Sequence, residues 1–323
     1  MKDRREFIKK TALTGMGLSL AGSSLLNGSP GLSQPPSLNE IKFPVCTFTK
    51  PLQFLGYEDL ADILAESGMD GADLGVRMGA HVEPERVEDE LPRAVEVLGS
   101  RGIQVPMMVT RINDPADPTA EPVLKTASEQ GIGIYRMAYY KYDLQLGIEK
   151  NLEINKSKLK GLAEINEKHK IHGAYQNHNG RYVGSPVWDL WILLKDLDPQ
   201  WTGCQYDIRH AVAEGANSWT LGIELLKKHI KCVVVKDFKW EKINGKWKMV
   251  NVPLGEGMVD FDEFLGYLKN FSFEGPVDIH CEYPFFDSKD KSLTLEQKRK
   301  AALSYMKKDV EFIRQKMMEF GLN

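Results

Sequence analysis

Four short stretches of this chain close apolar runs with side chains that can do chemistry. YQNHNG ends a run with Gln176, Asn177 and His178 just before a glycine turn, and YDIRHA offers Asp207 and His210 three residues apart. VVVKDF ends in Lys236 and Asp237, and DIHCEYP carries His280 and Glu282 two residues apart. Amides, imidazoles, carboxylates and an ammonium at such places are the parts of a polar pocket, not of a core. Two further stretches add VRMGAHVEPE with Arg77 and His81, and IYRMAYY with Arg136, Tyr139 and Tyr140. Each has a plainer reading. His280 could be a satisfied core histidine, Lys236 and Asp237 a local ion pair, Arg77 and His81 a loop brace, and the tyrosines aromatic packing instead of a sugar-stacking platform.

The elements that must position these groups follow from periodicity. Short β-rich runs at 43–48, 71–76, 105–110, 134–139, 172–178, 203–207, 231–237 and 276–283 alternate with amphipathic segments of helical period, ending in a long helix from about 295 to 320. Eight units of this kind predict a single-domain (β/α)8 TIM barrel of class α/β, and no glycine-rich phosphate loop follows the first strand, which argues against an open doubly wound sheet and a nucleotide cofactor. In such a barrel the chemistry sits at the carboxyl ends of the strands. Period-two alternation then turns Gln176 with His178, Gln205 with Asp207, Val234 with Lys236, and His280 with Glu282 inward. A polar hairpin around Asn244-Gly245 interrupts the seventh unit and is long enough to cover the barrel mouth. Trp188 and Trp191, at helical spacing, are read as core; His169, His172 and His229 fall at helix ends or a strand start, on the wrong side of the barrel, and are given no function.

These motifs, in this order, resemble the sugar phosphate isomerases and epimerases of the xylose isomerase-like TIM barrel type. YQNHNG stands where relatives carry an ENH-like strand end, YDIRHA resembles D-x-x-H-A, VVVKDF resembles H-x-K-D, PLGEGMVDF resembles an LGEG-x-(I/V)-DF loop, and DIHCEYP resembles an E-x-E strand. The resemblance runs from about residue 41 to the end. It implies a divalent ion (Mn, Mg or Zn) held by Glu, Asp, His and Glu on strands five to eight. Here those positions read Gln176, Asp207, Val234 and His280, with Glu282 two residues on, so either Gln176, Asp207 and His280 hold a weakened metal site with help from Glu282, or the site is metal-free and Lys236 supplies the positive charge. It also implies proton transfer beside a sugar carbonyl through an enediolate, for which His178, Lys236 and Glu282 are the catalytic candidates, and His210 resembles the family histidine that holds substrate; Arg77, His81, Arg136 and Tyr140, from their places at strand ends, are read as further substrate contacts. The expected protein is an exported isomerase or epimerase of a keto-sugar; a lyase acting on oxidised glycosides through the same enolate, and a carbohydrate-binding barrel without catalysis, are the alternatives.

Residues 1–36 read as a twin-arginine export signal and linker preceding a barrel at 37–323: Arg4 and Arg5, Phe7, two lysines, a moderately apolar stretch from Ala12 to Leu26, then a turn-rich GSPGLSQPP. The expected location is the periplasm, with membrane contact only through an uncleaved signal. A net charge of -3 over 323 residues and a mean hydropathy of -0.35 give no broad electropositive face, so nucleic acid is not an expected partner and a small-molecule sugar is. No basic cluster at the strand ends stands out along the chain, which favours a free or glycosidic sugar over a phosphorylated one. The sequence is silent on oligomeric state. The four cysteines, Cys46, Cys204, Cys232 and Cys281, are far apart and lie within or beside apolar runs, as buried free thiols do.

Overall fold

The computed structural model describes residues 41–283 and 292–322. The export segment expected at 1–36 lies outside the described residues. Strands β1 (Val45–Phe48), β2 (Gly71–Gly75), β3 (Gln104–Val109), β4 (Ile134–Arg136), β5 (His172–Gln176), β6 (Thr202–Asp207) and β7 (Ile230–Val235) are followed by a hairpin, β8 (Asp237–Ile243) and β9 (Lys246–Val252), and then by β10 (Val277–Ile279). Eight of them close a parallel barrel in the order β1-β10-β7-β6-β5-β4-β3-β2, so the expected (β/α)8 barrel is what the chain builds. The hairpin pairs on its own, antiparallel from Asp237↔Val252 to Ile243↔Lys246. Its turn residues Asn244 and Gly245 both have positive φ, at 51° and 76°, as a two-residue turn matched to the strand twist requires.

Helices α1 (Tyr57–Ser67), α2 (Val87–Gly99), α3 (Ala120–Glu129), α4 (Ile148–His169), α5 (Val187–Leu194), α6 (Ile208–Gly215), α7 (Trp219–Leu226), α8 (Phe261–Asn270) and α9 (Leu295–Phe320) form the outer ring. Their apolar stripes, such as Leu60, Ile63 and Leu64 of α1, pack on the outward residues of the strands, for example Val233 and Val235 of β7, in one continuous core. Thr294 caps α9 by accepting from the backbone N–H of Gln297, whose side chain reaches back to the backbone N–H of Thr294. Trp188 does not join that core: it is 51% exposed, because Val187, Leu190, Leu193 and Leu194 take the inner stripe of α5, while Trp191 is half-buried against the core. All four cysteines are free and buried, as their apolar surroundings suggest. No helix among the described residues is long and apolar enough to cross a membrane.

Inside the barrel, Met107, Ala174 and Cys232, with Ile134 packed against them, make a small apolar layer. Polar side chains lie above it, towards the carboxyl ends of the strands. Asp237 faces the other way from Lys236: its carboxylate accepts from the backbone N–H groups of Phe238, Gly255, Gly257 and Val259 and so folds the LGEG loop onto the start of the hairpin. A side chain at position 257 would collide with it, since an added Cβ would lie 2.1 Å from Asp237 Oδ1.

Candidate active site

The ends of β5, β6, β7 and β10 bring five of the predicted groups into one chain of contacts. Lys236 Nζ lies 2.9 Å from Asp207 Oδ2, 3.2 Å from Glu282 Oε2 and 2.9 Å from His210 Nε2. Gln176 donates from Nε2 to Asp207 Oδ2 at 2.8 Å and accepts on Oε1 from the Tyr139 hydroxyl. Asn177, of opposite parity, stitches the strands instead: its side chain accepts from the Asp207 N–H at 2.7 Å and donates to the Asp207 carbonyl at 2.9 Å. That explains the tandem amides of YQNHNG: one serves the pocket and the other the β5–β6 seam. Asp207 also caps α6 by accepting from the His210 N–H, which sets His210 one turn above it.

Charge states follow from these neighbours. Burial alone would strip the Lys236 proton, but Asp207 and Glu282 outweigh it and raise its pKa, so it is a firm ammonium. Burial would likewise raise Glu282, yet Lys236, His280 and Lys50 together hold its carboxyl well below the usual range. His210 is buried between Lys236 and Arg209 Nη1, which lies 2.9 Å from its Nδ1, and is kept neutral. Burial, then Lys236, lowers His178 too. The His178 Nδ1 sits 2.8 Å from the Asn179 carbonyl, which can only accept, so Nδ1 carries the hydrogen and Nε2 keeps a lone pair. Its ring packs 4.2 Å from that of His210 and 4.7 Å from that of Tyr139.

The positions that the resemblance assigns to a divalent ion do not suit one. Gln176 turns an amide N–H, not a lone pair, toward Asp207; Val234 has nothing to ligate with; and the Lys236 ammonium already stands between Asp207 and Glu282. Gln176, Asp207 and His280 therefore do not converge as ligands. His280 points its Nε2 to Asp278 Oδ2 at 2.7 Å, deeper in the barrel. There Asp73, Asp278 and His280, all buried, form the one trio among the described residues whose ligand atoms lie within 4.8 Å of one another. Burial raises Asp73 to about 7 and Asp278 well above its ordinary value, which disfavours two free negative charges side by side, and both Asp73 oxygens lack a hydrogen-bond partner among the described residues.

On the opposite side, the ends of β2, β3 and β4 gather Arg77, Arg111, Arg136 and Lys141 around a cavity of about 260 Å³ walled by Tyr139 and Tyr182. Arg77 and Arg136 were expected near substrate; Arg111 and Lys141 were not, and their meeting overturns the expectation that no basic cluster stands at the strand ends. The register explains it. Gly75, Val109 and Arg136 lie in one row across the three strands, so Arg77 and Arg111, each two residues past that row, come up beside Arg136 although 59 residues of chain separate the outermost pair. Tyr140 turns away: its hydroxyl donates to the Asn113 carbonyl and its ring stacks on Tyr175 in the outer core, leaving Tyr139 as the tyrosine at the mouth. His81 is tied to the first βα loop through the Leu52 carbonyl at 3.2 Å and does not line this cavity. The hairpin reaches the site through Asn251, which accepts from Arg209 Nη2 at 2.6 Å and donates to the Glu282 carbonyl at 3.2 Å.

A family model described as a xylose isomerase-like TIM barrel matches residues 61–315. No curated protein matches the sequence. Among solved structures, a D-allulose 3-epimerase from Methylomonas sp. superposes with a TM-score of 0.63 at 15% identity, covering 85% of this chain and 98% of that one. The IOLI protein with a binding zinc atom gives 0.66 at 16% identity, over 86% and 99% of the two chains. A 3-keto-D-glucoside 4-epimerase from E. coli gives 0.58 at 13%, over 82% and 99%. At such identities these likenesses speak for the fold.

Proposed function

The chain belongs to the xylose isomerase-like TIM barrel family, and on that premise we propose that it moves a proton at the carbon beside the carbonyl of a keto-sugar or keto-sugar derivative. The observation that carries the reading is the Lys236 ammonium, buried at the mouth within 3.2 Å of Glu282 and 2.9 Å of Asp207 and His210. Epimerase neighbours of the same fold, including proteins named for D-allulose, D-psicose and a 3-keto-D-glucoside, favour a sugar carbonyl as the reacting group.

In this reading the carbonyl oxygen sits against Lys236. The lone pair on His178 Nε2 takes the proton from the adjacent carbon; the C–H electrons form the C=C bond and the carbonyl π electrons move onto oxygen. Lys236 stabilises that oxyanion with a charge that is already in place before the reaction. Delivery of a second proton to the same carbon from a group on the face opposite His178 epimerises; return of the proton by His178 to the neighbouring carbon, with the hydroxyl proton moved between oxygens, isomerises; expelling a β-substituent would make the protein a lyase. Glu282 is too strongly held as a carboxylate to be the better base. Its part is to keep Lys236 charged and oriented. No step is routed through a metal ion, because the residues at the strand ends do not form a ligand set.

Incubation with a panel of ketoses and keto-glycosides in heavy water tests this. Deuterium should appear at the carbon beside the carbonyl, by mass spectrometry and NMR, in the native protein and not in Lys236→Met. A broad panel with neither exchange nor turnover would sink the proposal. Export by the paired arginines is part of it: Arg4→Lys with Arg5→Lys should leave the protein in the cytoplasmic fraction, and unchanged export would remove that part alone.

A further inference from the structure

We propose that the sugar carries an oxyanion, a carboxylate or a phosphoryl group, and that the Arg77, Arg111 and Arg136 side of the mouth holds it. The inference rests on the reading that this mouth receives a keto-sugar, and it names the class of that sugar.

Arg136 is the decisive residue. It is 4% exposed, and its Nε and Nη1 are buried with no hydrogen-bond partner among the described residues. A guanidinium is always charged and carries five donors, so burying it with donors unmet is costly unless something binds there. Among the described residues its guanidinium packs on the face of Tyr139, 4.8 Å from ring centroid to guanidinium carbon. Arg77 is stacked on Phe48 at 5.1 Å, and after burial the cations that most depress its pKa are Arg136 and Arg111. The fold therefore forces three guanidinium groups together, with Lys141 at the rim, and no ion pair to any of the four is found among the described residues. Other arginines of the barrel behave differently: Arg101, Arg299 and Arg314 each have a carboxylate oxygen at 2.6 to 2.8 Å. Asp73 acts on Arg77 and Arg136 through its field, from the barrel interior, and makes no ion pair with either among the described residues.

The patch is not a by-product of a basic protein, since the whole chain carries a formal charge of -3. It is also joined to the chemistry. Tyr139 lines the cavity and packs its ring 4.7 Å from that of His178, so a ligand seated on the arginines lies one side chain away from the proposed base. About 260 Å³ is room for a small charged group and part of the carbon chain bearing it. Neutral hydroxyls could use some of these donors, but they would leave three like charges unneutralised. An oxyanion supplies both acceptors and charge, in the planar two-point geometry that guanidinium matches best.

Calorimetric titration with three ligands of one carbon skeleton tests the proposal: a ketose, the corresponding keto-sugar acid and the corresponding ketose phosphate. At least one anion should bind about tenfold or more tightly than the ketose, and which of the two does so separates carboxylate from phosphoryl. Arg111→Gln, at an exposed position, and Arg77→Gln should each cost the preferred anion more affinity than they cost the neutral ketose and so erase that preference, and inorganic phosphate should compete with the anion alone. Arg136→Gln should do the same if it folds, but the two outer variants suffice. Equal binding of all three ligands, or an equal loss of all three in the variants, would overturn it. Deuterium exchange on the same samples separates the two ideas. Arginine-dependent anion binding without exchange would cost the proton-transfer reading and leave the anion site standing. Exchange on the neutral ketose together with equal binding of all three ligands would do the reverse.

Discussion

The two halves of the barrel mouth are built on opposite electrostatic plans. On the β5, β6, β7 and β10 side, each charge meets its partner inside the protein: Lys236 lies between Asp207 and Glu282, Gln176 fills the remaining face of Asp207, and Lys50 sits 3.5 Å from Glu282. On the β2, β3 and β4 side, three arginines and a lysine share a cavity with no such partner among the described residues. The first half is preorganised. Its dipoles and charges are fixed before anything binds, which is what stabilising a short-lived oxyanion needs. The second half is left incomplete and is satisfied only by what arrives, which is how a binding site selects its ligand's charge.

The sharpest way to break this comparison is to remove the charge that the first half is arranged around. Lys236→Met should cut deuterium exchange by about 10²- to 10³-fold, and it should destabilise the fold by about 3 kcal/mol because Asp207 is left as an unpaired buried carboxylate. Melting curves alongside isotope exchange check both; an active, equally stable variant would contradict the plan of the first half.

Next in size is Gln176→Glu, which sets an acceptor against the Asp207 carboxylate where a donor now lies 2.8 Å away. It should lower stability by about 1–3 kcal/mol at neutral pH, read by denaturant unfolding. An unchanged or raised stability would mean that the amide–carboxylate contact is not what holds Gln176.

Salt should then distinguish the halves. Rising ionic strength should weaken anion binding at the exposed Arg111 and Lys141 while leaving the buried Lys236 pairings, and with them the exchange rate at saturating substrate, nearly untouched. A common decline in both measurements would merge the two regions into one.

Acid gives a smaller effect on the arginine side. Burial lowers His81 from its ordinary 6.5 to about 4, and its Nδ1 is buried without a hydrogen-bond partner among the described residues. The unfolded chain therefore binds a proton that the folded chain refuses, so stability present above about pH 6.5 is lost as pH falls toward 4. His81→Gln should flatten that part of the melting temperature against pH profile, and an unaltered profile would place the acid sensitivity elsewhere. The smallest expected effect is that of chelation: treatment with a strong chelator, monitored by elemental analysis, should leave exchange unchanged, whereas loss of activity restored by one metal would return a catalytic ion to the site.

Much of this was legible along the chain. Each of the eight barrel strands and the Asn244-Gly245 hairpin follows from period-two and period-3.6 patterns and a turn that needs two positive φ values. Lys236, Asp207 and His210 were findable because each closes or directly follows an apolar run, and alternation gives its side. Tyr140 was preferred over Tyr139 because alternation loses its authority where β4 ends at Arg136 and the chain becomes irregular. The arginine cluster stayed hidden because its members belong to separate βα units, each with one unremarkable basic residue.

What the sequence determined by itself is the barrel, its polar end and the identities of the groups there, because periodicity and turn chemistry are local and repeat in every unit. What only the tertiary structure decided is which of those groups meet. Whether Lys236 stands where an ion would otherwise stand, whether His280 turns to Asp278 or to the mouth, and whether Arg77, Arg111 and Arg136 share one cavity all depend on the stagger of neighbouring parallel strands and on barrel closure. Those are long-range relations, fixed by packing between residues far apart in the chain, and electrostatics acts through the distances that closure creates.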